Sequence, residues 1–94
     1  AQTTTWVKDY LDIHPPFPEE QMEDAVEARK PFYKNDKVCF WLDDFRRWLM
    51  SNGDRLSLQV LGTRLKRIGL NNKIAKIGRK SIRVWEVDIK DLMQ

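Results

Sequence analysis

Two amphipathic helices joined by a short turn, two strand-like runs around a Gly-containing turn after them, and a purely basic stretch across those elements predict an α+β fold. The order is that of a winged helix-turn-helix, with three or more helices and a C-terminal β-hairpin wing. A chain of 94 residues is expected to form a single domain, with N-terminal helices or an arm over residues 1–37 and the helix-turn-helix and wing over 38–94. So short a chain buries only roughly 60–65% of its unfolded surface, so each Trp and Phe matters to a thin core.

Taken in order, Thr4 or Thr5 offers an N-cap, and Trp6, Val7, Tyr10, Leu11 and Ile13 recur at helical spacing until Pro15-Pro16 stops the helix. His14 reads as an exposed cap residue. The stretch Glu19 to Arg29 has strong helix formers but only a weak apolar stripe at Met22 and Val26, which predicts an exposed helix or ordered arm. Its carboxylates suit a helix N-terminus better than they suit a mimic of nucleic acid. After the Lys34-Asn35-Asp36 turn, Lys37 to Trp41 reads as a brief strand, with Cys39 as a small buried hydrophobe. In the helix that follows, Trp41, Leu42, Phe45, Trp48 and Leu49 gather on one side, and Asn52-Gly53 ends it. Asp43 and Asp44 are neighbours that point about 100° apart on a helix, so they form no catalytic pair.

Ser57 caps the next helix, whose buried stripe is Leu58, Leu61, Leu65 and Ile68 and whose stop is Gly69. Gly62 would let a neighbouring helix approach closely. After an Asn71-Asn72 turn, the runs from Lys73 to Ile77 and Ile82 to Val87 flank Gly78 to Ser81 as a hairpin with a basic tip. Trp6, Phe45, Trp48 and Trp85 are assigned to the core and not to base stacking, because none is interleaved with the basic cluster.

Charge is segregated along the chain. Residues 1–54 carry a net −4, whereas Arg55 to Trp85 hold nine Lys/Arg and no carboxylate, and the tail returns −2 to give +3. A run so pure is the footprint of a polyanion site, since a merely solvated face normally intersperses Glu and Asp. One Cys and one His exclude a disulfide framework and a four-ligand thiolate/imidazole zinc site. The lone Cys suits a reducing cytoplasm, so a cytoplasmic, DNA-associated protein is expected, and no apolar run approaches the roughly 20 residues of a membrane span, so no membrane contact is expected. No phosphate loop, Ser/His/Asp set or ligand-spaced carboxylates are present, which points to a non-catalytic binding domain needing no cofactor or metal. Ala1 stands where an initiator Met would, the form expected of a domain cut from a longer protein, and simple removal of Met before Ala1 gives the same form.

The segments Phe45 to Gly53, then Ser57, Leu61-Gly62, Leu65-Lys66 and Gly69, then Gly78 to Trp85, resemble the C-terminal winged-helix domain of primase-helicases of satellite phages, poxviruses and integrated phage-like elements. The likeness spans Val38 to Val87. It implies a replication-origin-binding module of a larger replication protein, with the rest of a helicase or primase chain as a partner, and any nucleotide chemistry outside this domain.

On the residues themselves, a helix fits the major groove of double-stranded DNA, where Gln59, Val60, Thr63 and Arg67 are the expected base readers. Arg55, Ser57, Arg64, Lys66, Lys73, Lys76, Arg79, Lys80 and Arg83 are expected at phosphates. Two alternatives stand beside this reading. One is a winged-helix protein adaptor, which should expose an apolar patch on the same helix, and the other is binding of structured RNA by shape.

Overall fold

The computed structural model describes residues 2–92. In chain order these are α1 (Gln2–Ile13), a 3-10 turn (Glu19–Gln21), α2 (Met22–Ala28), β1 (Phe32–Lys34), β2 (Lys37–Phe40), α3 (Leu42–Ser51), α4 (Leu58–Arg67), β3 (Asn71–Ile77), β4 (Lys80–Asp88) and α5 (Ile89–Leu92). The fold is α+β. Its four strands are all antiparallel in the order β1-β2-β4-β3, so β4 lies between the two strands that flank the α3–α4 pair in sequence.

Strand alternation fixes which side chains meet which helices. Val38 and Phe40 of β2, with Trp85 and Val87 of β4, face one side and pack on Val7, Tyr10 and Leu11 of α1, Phe45 and Leu49 of α3, and Leu61 and Leu65 of α4. Cys39 and Val84 face the other side with Phe32, Ala75 and Ile77, where Ala25 and Val26 of α2 cover them. The sheet is therefore buried on both faces. The expectation of an exposed helix or ordered arm at Glu19 to Arg29 holds for the helix and for its outer face, but Ala25 is fully buried and Val26 is 8% exposed, so α2 also contributes to a second core. Its apolar stripe looked weak because one of its two anchors is an Ala.

Further differences have local causes. The first helix begins at Gln2, ahead of the caps expected at Thr4 or Thr5, and Thr3 is buried in it. A three-residue strand, β1, was too short to read as one and forms because Asn35 and Asp36 both take positive φ, 51° and 62°, in a two-residue hairpin turn. Trp41 leaves the stripe of α3, since as its N-cap it is extended and turns to the α2 side with Phe32 and Cys39. Asn71-Asn72 opens β3 and does not make the turn, which falls at Gly69 with φ 94°. Gly62 admits a strand residue more than a helix: a Cβ there would sit 3.5 Å from the Trp85 ring and 3.9 Å from Leu42.

Two polar contacts tie α3 to its neighbours, one to α1 and one to the turn before α4. The Tyr10 hydroxyl donates to Asp44 Oδ2 at 2.6 Å, and burial together with that carboxylate raises the phenol well above its ordinary pKa. Arg46 Nε donates to the Leu56 carbonyl at 2.7 Å and so pins the α3–α4 turn. Burial first, and Glu86 second, push the Cys39 thiol up to about 12, which favours the protonated form. Among the described residues no helix is long and apolar enough to cross a membrane.

Candidate functional site

The site is built on α4, and α4 forms where it does because Ser57 stops the preceding chain. Ser57 Oγ accepts the Val60 N–H at 3.1 Å, which satisfies one orphan donor of the first turn. Leu61 and Leu65 are fully buried, which sends Gln59, Thr63, Lys66 and Arg67 to the opposite, exposed face. All four are exposed, and Thr63 donates its hydroxyl to the Gln59 carbonyl at 3.0 Å. Arg64, Lys66 and Arg67 occupy the last turn, where the helix dipole favours cations. The dipole accounts for cations there, but not for those on the hairpin.

The hairpin register divides its cations between two faces. Ile74 sits opposite Arg83 and Lys76 opposite Ser81, and alternation puts all four on the side of Trp85, which packs on α4 at Gly62. Lys73, opposite Val84, and Lys80, opposite Ile77, point to the α2 side. Gly78 opens the two-residue turn with φ 60°, as a turn with Gly in its first central position requires, and Arg79 follows at the tip.

Several of the expected phosphate contacts thus have company. Lys73 Nζ lies 3.8 Å from the Glu86 carboxylate, which is only 8% exposed, so this lysine offsets a buried charge on the α2 face. The Arg64 guanidinium lies 5.1 Å from the ring centre of Trp6, turned toward α1. Arg79 and Lys80 share a hollow with Glu23 and Glu27 of α2. Arg55, Lys66, Arg67, Lys76 and Arg83 are exposed, and none is in an ion pair among the described residues. The structure therefore gathers Gln59, Thr63, Lys66 and Arg67 on one helix face, and Lys76 and Arg83 on the hairpin face turned to that helix.

Where α4 and the hairpin meet, a cleft of about 210 Å³ opens over Trp85, walled by Leu58, Asn72 and Arg83 and, from the start of α3, by Leu42 and by Asp43, whose carboxylate is paired with Arg29. Asn72 and Leu58 were not among the expected site residues. The signal for Asn72 was its two-residue spacing from Ile74 and Lys76, obscured by reading Asn71-Asn72 as a turn. Spacing puts Leu58 on the buried stripe, yet it is 44% exposed because it lies at the first turn, over the cleft. Among the described residues no three His, Cys, Asp or Glu side chains converge as metal ligands. No protein-family model, no curated protein and no solved structure matches this chain.

Proposed function

We propose that the chain is a winged helix-turn-helix domain that binds double-stranded DNA, with α4 in the major groove and the β3–β4 hairpin as its wing. The observation that carries the reading is the alignment of exposed, unpaired cations on two elements that pack together: Lys66 and Arg67 on α4, Lys76 and Arg83 on the adjoining face of the hairpin. Helix α3, the turn pinned by Arg46, α4 and then a hairpin whose second strand pairs with β2 is the arrangement such a domain needs. Gln59, Val60, Thr63 and Arg67 meet base edges, while Arg55, Ser57, Lys66, Lys76, Arg79 and Arg83 meet phosphates. Arg64, Lys73 and Lys80 contribute charge from positions already engaged or turned away. In the fuller form that the resemblance to primase-helicase C-terminal domains implies, the DNA is a replication origin and the domain serves a larger replication protein.

A second reading has its own observation. Leu58, Val60 and Ile74 are 44%, 47% and 60% exposed beside the same cations, and such side chains suit a protein adaptor. Titration against duplex DNA, single-stranded DNA and duplex RNA of equal length separates the two. With four to six phosphates contacted, log K for duplex DNA should fall against log salt with a slope of about −4 to −5. A flat salt response, or equal affinity for the three polymers, removes the DNA reading.

A further inference from the structure

A second surface, between α1 and α3, has the opposite character. Trp6 and Ile13 of α1 face Trp48 of α3 across a groove of about 380 Å³, rimmed by Asp9, Asp12 and Asp54. Ile13 is 62% exposed and both indoles are half-buried, so the floor is apolar and partly open to water. No Lys, Arg or His among the described residues lines it, and none of the three Asp is in an ion pair. The folding core explains the inner edges of the two indoles, but it explains neither the exposed Ile13 nor three uncompensated carboxylates around an apolar floor.

We propose that this groove docks a cationic, amphipathic segment of a protein partner, which lays apolar side chains on Ile13 and the two indoles and carries Lys or Arg to Asp9, Asp12 and Asp54. Charge complementarity selects that occupant. An acidic segment would meet like charge three times over, whereas a basic one gains attraction from carboxylates and indole faces together. The chain already uses this chemistry at the groove's margin, where the Arg64 guanidinium lies 5.1 Å from the Trp6 ring centre. The three carboxylates repel a nucleic acid here, and the proposal stands whether or not α4 binds DNA.

The probe is a fluorescein-labelled 14-residue peptide, about four helical turns, with lysines on one helical face and leucines on the other, set against its counterpart with glutamates for lysines. Anisotropy and amide and indole NMR shifts of the intact chain are followed. The lysine peptide should bind and the glutamate peptide should not, with the largest shifts at the indole N–H groups of Trp6 and Trp48. The triple variant Asp9→Asn/Asp12→Asn/Asp54→Asn should weaken binding by about tenfold or more, as expected for loss of several charge contacts. The variant Glu20→Gln/Glu23→Gln/Glu27→Gln, which removes as much charge elsewhere, should stay within about twofold, the scale of a screened surface effect. Equal weakening by both variants, shifts that map away from the groove, or self-association of the protein abolished by the Asp variant would each overturn the proposal, the last by giving the groove to a second copy.

Discussion

Replacing Phe45 by alanine should cost about 3–5 kcal/mol and leave the chain largely unfolded at ordinary temperature. Phe45 is fully buried, with ring centres of Tyr10, Phe40 and Trp48 at 5.1, 5.5 and 6.2 Å, so it joins α1, β2 and α3 at one point. Removing its ring leaves a cavity that three aromatic side chains cannot collapse into without leaving their own contacts. Trp48, which periodicity also places in the core, is only half-buried and contributes an open edge to the acidic groove. Its alanine variant should therefore lose less than Phe45→Ala. Thermal melts of both, with NMR dispersion to report folding, check the order, and a Phe45→Ala chain melting near the parent would mean that the two helices are held by something other than this aromatic cluster.

The second large effect concerns recognition. Arg67 is exposed on the outer face of α4 and free of carboxylates, so Arg67→Ala should lower affinity for a preferred duplex by about 1–3 kcal/mol and narrow its advantage over random DNA. Lys80 lies on the α2 side of the hairpin beside Glu23 and Glu27, where carboxylates already screen it. Lys80→Ala should weaken all sequences alike and by less. Competition binding with a duplex selected from a randomised pool and with a scrambled one measures both. Equal losses on the two duplexes for Arg67→Ala would show that this residue anchors the backbone and does not read bases.

Much of this arrangement was legible in the residue pattern. The stripes of α3 and α4, the cap at Ser57 and the hairpin around Gly78 follow from spacing and from residue types that fix local backbone geometry. What periodicity could not supply was the partner of each face. A stripe says that Trp41 is buried, but the extended cap geometry, a matter of one φ/ψ pair, sends it to the far side of the sheet. Likewise the basic run reads as one patch in sequence, whereas strand alternation divides it, with Lys76 and Arg83 toward α4 and Lys73 and Lys80 toward α2. Register is a tertiary property, and a slip by one residue would reverse that division. The core role of α2 was hidden for a related reason: Ala25 carries little hydrophobic signal, but its small size lets the helix lie close on the sheet.

The most direct test of the central claim is to follow the amide and side-chain NMR signals of the intact chain while duplex DNA is added at low salt. DNA docked by α4 should move Gln59, Thr63, Lys66 and Arg67 together with Lys76 and Arg83, while Lys73, Glu86 and the residues of α2 stay nearly still. Shifts centred on α1 or α2, or none on the outer face of α4, would contradict it.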